Sequence, residues 1–360
     1  MLRAGLIGFP STGKSTLLHL LAGQLGDATR AVGKQDSQVG MVQVPDSRLD
    51  RLTALFEPRR QVPATVAVTE LAGHGTATAM LDVSGFRNAD ALLHVLRMFS
   101  DDRVPHVAGH VDPRRDTQQM EEELILADLA VAERRLDKLS QDLKRRRSSE
   151  LEAEARILQH CQSTLEEGCP LRSLTFDSDD TKRLRGFSFL SAKPLLIVLN
   201  LDEVDVSDPQ EAIDRAGLAK VISGTSIETV AVCAKIELEI AQLAESDREI
   251  FLADIGLADS GLDRVVRACY DLLGYISFFT VGKDECRAWS VPIGTSAQGA
   301  AGEIHSDISR GFIRAEVVPY EALEARNGSQ AACRENGEVR LEGKEYQIRD
   351  GDVINFRFAT

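Results

Sequence analysis

The run Gly8-Phe9-Pro10-Ser11-Thr12-Gly13-Lys14-Ser15-Thr16 carries the spacing G-x-x-x-x-G-K-[ST]. These residue types, in this order, handle a polyphosphate. Gly8 and Gly13 let the backbone turn tightly through Pro10, Ser11 and Thr12, and the amides of the turn then point partial positive charge at phosphate oxygens. Lys14 reaches the β and γ phosphates, the Ser15 hydroxyl is placed to ligate Mg²⁺, and Thr16 continues the loop into a helix. The flanks agree with this chemistry. The apolar run Leu2–Ile7 reads as a strand before the loop, and Leu17, Leu18, Leu20 and Leu21 read as an amphipathic helix after it.

Three further segments would complete a nucleotide site. Glu70-Leu71-Ala72-Gly73 follows an apolar strand and stands where a D-x-x-G is expected. There the Gly73 amide would bond the γ-phosphate, and the carboxylate would hold Mg²⁺ through water. Asn200-Leu201-Asp202-Glu203 stands where guanine readers carry N-K-x-D. Glu203 takes the place of the Asp that pairs with guanine, and its extra methylene crowds that edge. Leu201 takes the place of the Lys and is expected to offer an apolar face to the base. The segment Val232-Cys233-Ala234-Lys235 supplies the last loop, whose backbone at Cys233, Ala234 and Lys235 would touch the base.

These loops need a sheet to hold them. Val66–Val68, Ala91–Leu96 and Leu195–Leu199 are near-continuous apolar runs, as strands of a parallel sheet covered on both faces require. The predicted fold class is α/β, a doubly wound, mostly parallel sheet. From Thr117 to Glu167 the texture is helical and charged. Ile125, Leu129, Ala132, Leu136, Leu139 and Leu143 form one heptad seam, and Leu151, Ala155, Leu158 and Leu165 a second. The break between them, Lys144-Arg145-Arg146-Arg147-Ser148-Ser149, predicts an antiparallel helical hairpin with a basic tip, fit either to meet RNA or to stand in solvent as a helix end. After about Ile276 the pattern alternates in the manner of β-strands, with Gly337, Gly343 and Gly351 between them, which predicts a small β-rich module.

Composition narrows the partners. The 360 residues suit two or three domains. With 42 Lys and Arg against 56 Asp and Glu the net charge is −14, so a chain-wide basic footprint for nucleic acid is excluded, and any RNA contact falls to local patches such as the hairpin tip. The six cysteines show no C-x-x-C pair, which argues against a zinc site or a disulfide framework. The start of the chain enters a strand at once, and no apolar run reaches 18 residues. The chain therefore reads as soluble and cytoplasmic, without a signal peptide, a membrane partner or DNA sequence specificity. His94, within a strand, reads as a satisfied core residue, and neither His106 nor His110 is expected to bind metal. His305 is read as packing, with stacking on RNA as the lesser role.

Over nearly its whole length the chain resembles the Obg-like ATPase family, the YchF proteins. The phosphate loop carries this resemblance together with QVGMVQVPDSRLDRL (38–52), VPATV (62–66), ADALLHVLRMFSDD (89–102), HVAGHVDPRRD (106–116), ELILADL (123–129), FFTVGKDECRAW (278–289), AAGEIHSDISRGFIRAEV (300–317) and EGKEYQIRDGDVINFRF (342–358). The resemblance implies a P-loop G domain of OBG type over 1–116 and 186–275, a coiled-coil hairpin inserted over 117–185, and a β-grasp-like TGS domain over 276–360. It also implies preference for ATP, since the family reads its base with N-x-x-E, and association with ribosomes. Three departures bear on catalysis. Lys34 stands where the family places a switch Thr, Glu70 replaces Asp, and the glycine-rich stretch after Gly73 is shortened to Gly75–Met80. His74 directly follows Gly73, the place where translational GTPases put the His that orients the attacking water. Two functions stay open: a slow Mg²⁺-dependent ATPase with Lys14 and His74 as its catalytic groups, and a nucleotide-gated binding protein with little hydrolysis. GTP specificity is a third, weaker reading.

Overall fold

A computed structural model describes residues 2–23, 30–31, 37–71, 83–146, 148–218 and 226–359. In it the apolar runs become the centre of a seven-stranded sheet. In chain order the elements are β1 (Leu2–Ile7), α1 (Lys14–Gly23), β2 (Arg30–Ala31), β3 (Ser37–Gln43), α2 (Ser47–Phe56), β4 (Arg60–Val62), β5 (Thr65–Leu71) and β6 (Ala91–Arg97). Helices α3 (Pro113–Arg145), α4 (Ser149–Glu166) and α5 (Ser178–Leu184) follow. Next come β7 (Leu195–Asn200), α6 (Pro209–Arg215), β8 (Ile227–Val232), α7 (Ala234–Gln242), α8 (Glu245–Asp254) and α9 (Gly261–Leu272). The sheet order is β2-β3-β5-β1-β6-β7-β8, with β1, β6, β7 and β8 joined in parallel. Every residue of β6 and β7 is buried, which is why neither run alternates with polar residues. This is the doubly wound α/β sheet that the sequence predicts, and the loops at the carboxyl ends of β1, β7 and β8, with Glu70 near the end of β5, carry the candidate site.

The heptad seams close on each other. Ile125, Ala132 and Leu139 of α3 pack with Leu158 and Leu165 of α4, and Leu129, Leu136, Leu151 and Ala155 flank them. Arg146 caps the end of α3 and Ser148 the start of α4, both inside the predicted break. At the base of the hairpin the fully buried Asp128 accepts from the amides of Leu190 and Ser191 at 2.9 and 2.7 Å and from the Arg87 guanidinium at 3.1 Å. A buried carboxylate is tolerable because these two amides and the guanidinium satisfy it.

Two compact units emerge: Leu2–Met41 with Ala67–Cys269, and Val42–Val66 with Tyr270–Thr360. Periodicity gave no sign that Val42–Val66, within the expected 1–116 domain, would leave it. The reason is long-range pairing inside the second unit. That unit contains β9 (Tyr275–Val281), β10 (Glu285–Pro292), α10 (Ala297–Ile304), α11 (Ser306–Arg310), β11 (Phe312–Pro319), α12 (Tyr320–Ala325), α13 (Gln330–Glu335), β12 (Arg340–Glu342) and β13 (Asp352–Phe358). Its sheet runs β12-β11-β13-β9-β10-β4, so β4 completes the edge by pairing in parallel with β10. In α2, Arg48 bonds Asp46 at 2.8 Å and Asp350 at 2.6 Å, and its guanidinium lies 5.3 Å from the centre of the Phe279 ring. The core of this unit is Phe278, Val291, Ala297, Ala300, Ala301, Val317, Ile354 and Phe356. Among the described residues no helix is long and apolar enough to cross a membrane.

Candidate functional site

The turn after β1 adopts the backbone that the glycines predict. Gly8 has φ +144° and Gly13 φ +99°, and Ser11 between them is also left-handed at +64°. Neither glycine has room for a side chain. A Cβ on Gly8 would lie 2.6 Å from the Val95 carbonyl oxygen, and one on Gly13 would lie 2.3 Å from Asn200 Nδ2. The Thr12 hydroxyl is buried and donates to the Phe9 carbonyl at 3.1 Å. Lys14 Nζ donates to the same carbonyl at 2.7 Å. Burial lowers the Lys14 pKa, and the nearby Glu70 carboxylate works against that shift. The ammonium is thus held partly desolvated inside the loop, where attraction to an anion is stronger than in water. Pro10, Ser11 and Ser15 are exposed.

Glu70 lies near the end of β5, 8% exposed, and accepts from Ser15 Oγ at 2.8 Å. The longer side chain brings a carboxylate oxygen directly to the hydroxyl of the phosphate loop. Two hard oxygen donors side by side, next to a loop shaped for phosphate, fit Mg²⁺, which takes a few protein oxygens plus phosphate and water. Gly73, His74 and the Gly75–Met80 stretch lie outside the described residues, as does Lys34.

Asn200 joins the two ends of the site. It is 3% exposed, donates from Nδ2 to the Thr12 carbonyl at 3.0 Å, and accepts at Oδ1 from the Ala234 amide at 3.1 Å. One buried amide therefore ties the phosphate loop to the 200–203 loop and the 233–235 loop. Glu203 opens a short helical turn, and Asp202 caps its amide at 2.8 Å. Asp202 is spent on that cap and on the Ser100 amide, at 3.3 Å, which leaves Glu203 as the acid at the base side. Leu201 departs from its expected place. Its side chain is 3% exposed and packs in the core with Val206, Ala212, Leu218 and Cys233, so it offers little free surface to a base. Cys233 and Ala234 are also buried, and burial raises the Cys233 thiol pKa.

Composition and spacing missed one contact: the Lys235 ammonium forms an ion pair with Glu203 Oε2 across the base side. The two are far apart in sequence, and no local pattern joins them. His94 is buried as expected but not satisfied. Its Nε2 has no hydrogen-bond partner among the described residues, and burial, helped by Lys14 and Arg172, lowers its pKa to about 3, so the ring is neutral. His106 bonds Asp116 at 3.0 Å with both side chains nearly buried, which closes the 98–112 loop onto the start of α3. His305 caps α11 by accepting from the Asp307 amide at 3.2 Å.

The sheet, the glycine-bounded loop and the joined base loops define a P-loop nucleotide-binding protein of the Obg-like type. Comparison with known proteins narrows the class. The family model YchF-GTPase_C, described as a protein of unknown function (DUF933), matches residues 275–359. The ribosome-binding ATPase YchF of Bacillus subtilis (strain 168) is 41% identical over 365 residues, covering 99% of both chains. That of Escherichia coli O157:H7 is 35% identical over 363 residues, again with 99% of both covered. A solved structure of the Schizosaccharomyces pombe YchF GTPase superposes with a TM-score of 0.84 at 27% identity, covering 99% of this chain and 97% of that one. The chain belongs to the YchF family.

Proposed function

We propose that this chain binds ATP with Mg²⁺ at the Gly8–Thr16 loop, hydrolyses it slowly and associates with the ribosome. The observation that carries the reading is the Asn200 junction, which sets Lys14 and Glu203 in one site with phosphate chemistry at one end and a non-guanine acid at the other. The relatives called ribosome-binding ATPases support the same activity and partner. Lys14 leaves the Phe9 carbonyl for the β and γ phosphates and balances the charge that grows on the bridging oxygen as water attacks the γ-phosphorus in line. Ser15 and Glu70 would hold Mg²⁺, which supplies further positive charge to the phosphates. The amides of the loop and of Gly73 orient the terminal phosphate, and His74 orients the water. The 276–360 region is a TGS domain, the hairpin a coiled coil, and the protein is cytoplasmic.

The ribosome contact is assigned to the hairpin tip, Lys144, Arg145, Arg146 and Arg147. The first three are exposed and form no ion pair among the described residues; Arg147 lies outside them. Neutralising all four should weaken co-sedimentation with ribosomes and flatten its salt dependence, because each phosphate contact releases counterions. Equal pelleting of variant and wild type across a salt series returns the tip to a plain helix end.

GTP remains the second reading, favoured by the fission-yeast relative being described as a GTPase. Titration calorimetry with ATP and GTP, followed by single-turnover hydrolysis with and without ribosomes, separates the cases. Tighter binding of ATP and measurable hydrolysis are expected. Tighter binding of GTP overturns the base assignment. Absence of hydrolysis under both conditions makes the protein a nucleotide-gated binder. Where hydrolysis occurs, His74→Ala should slow it about 10²-fold at nearly unchanged ATP affinity, as for a group acting mainly in the transition state. Equal rates would remove His74 from the mechanism.

A further inference from the structure

The Glu203–Lys235 pair stands in the open, with side chains 41% and 67% exposed. Exposed ion pairs add little to a fold, so stability does not account for it. The backbone beneath the pair is held by hydrogen bonds. The buried Asn200 fixes the backbone of both loops to the phosphate loop, Asp202 caps the Glu203 amide, and Leu201 N donates to the Val232 carbonyl at 2.7 Å. Two exposed charged heads therefore sit above hydrogen-bonded backbone, at the end of the site away from the phosphate loop.

The pair places an acceptor beside a donor. A carboxylate only accepts hydrogen bonds, and an ammonium only donates them. The Watson–Crick edge of adenine has the complementary order, an amino donor on C6 beside the N1 acceptor. Guanine has the reverse, an O6 acceptor beside an N1–H donor. We propose that Lys235 is a second base-reading side chain, its ammonium donating to adenine N1 while Glu203 accepts from the C6 amino group. Guanine would then set O6 against the carboxylate and N1–H against the ammonium. Selectivity would come from two repulsions as well as two attractions. A base lying over the pair also excludes water from it and strengthens every one of these terms. This inference rests on the ATP reading above and adds to it a side chain and the atom that it reads.

The experiment uses the full chain with Mg²⁺ and two nucleotides, ATP and 1-deaza-ATP, in which a C–H replaces N1. Wild type should bind ATP about tenfold more tightly than the analogue, the size of one charged hydrogen bond. Lys235→Met should lose about tenfold for ATP and little for 1-deaza-ATP, so that the ratio between the two falls to near one. Lys235→Arg keeps a donor and should restore part of the ratio. A variant that merely loosened the loop would weaken both nucleotides alike, and that result overturns the proposal. Wild type binding ATP and 1-deaza-ATP equally also overturns it while leaving the ATP reading intact. Wild type that binds no ATP overturns both.

Discussion

At the phosphate end of the site, Lys14 is held among buried backbone, and Gly8 and Gly13 leave no space for a Cβ. At the base end, Glu203 and Lys235 stand in solvent and touch each other through flexible side chains. On the proposed reading, the difference follows from what each end would recognise. Every nucleoside triphosphate presents the same phosphates, so that end can be built from fixed amides, tight turns and a desolvated cation. Bases differ in the order of their donors and acceptors, so a base-reading end would be built from side chains that can be exchanged without moving the backbone under them. Asn200 bonds to both.

If this contrast holds, the largest loss comes from the buried end. Lys14→Ala should reduce ATP and GTP affinity alike by at least about 10²-fold in calorimetry, with the melting temperature unchanged or raised. The sign of the second effect follows from burial, which lowers the Lys14 pKa and marks an ammonium held where solvation is poor. Unchanged affinity would falsify the assignment of the phosphate loop.

Asn200→Ala strikes the junction. It leaves the Thr12 carbonyl and the Ala234 amide without partners, at a cost of about 1–3 kcal/mol each. Affinity for both nucleotides should fall about 10- to 100-fold, together with thermal stability. A loss confined to one nucleotide would show that the two ends are not joined through this residue.

Glu203→Asp tests the exposed end alone. Shortening the acid draws it away from Lys235 and towards the guanine-reading arrangement, so the ATP-to-GTP ratio should fall about tenfold with no change in melting temperature. The matching exchange at Leu201 is not a fair companion. Leu201 is buried in the core, and a lysine there would place a charge among apolar side chains. A ratio that does not move would mean that base choice lies elsewhere.

The smallest effect on nucleotide affinity comes from behind the base loop. Glu237, on α7, is 3% exposed and accepts from the Gly261 amide at 2.6 Å. Burial raises its pKa from 4.5 to about 7, against the pull of that amide. The folded pKa is raised, so Glu237 favours the fold fully below pH 4.5, and that contribution is lost as pH rises through about 7. Glu237→Gln should keep the bond to Gly261 and flatten this dependence, making the variant more stable than wild type by on the order of 1–3 kcal/mol at pH 8 in denaturant titrations. ATP affinity should not change. Parallel pH profiles for the two proteins would show that the carboxyl is not desolvated.

Much of this was legible before any coordinates. The spacing from Gly8 to Ser15 predicts a phosphate-binding turn, because Gly8 at φ +144° and Gly13 at φ +99° leave no room for a Cβ, and Lys14 carries its charge on a long flexible stem. The continuous apolar runs determine a covered parallel sheet, and the two heptad seams determine the hairpin. Each of these is a local pattern, and local patterns are printed in the order of the residues. Tertiary structure alone decided that Val42–Val66 joins the C-terminal unit, since β4 and Arg48 find their partners more than 200 residues away. It alone turned Leu201 into the core, left His94 Nε2 without a partner among the described residues, and set Lys235 against Glu203. These outcomes depend on which surfaces meet after the chain has closed. A residue's type says what it is able to bond, and only the packed fold says what stands within reach.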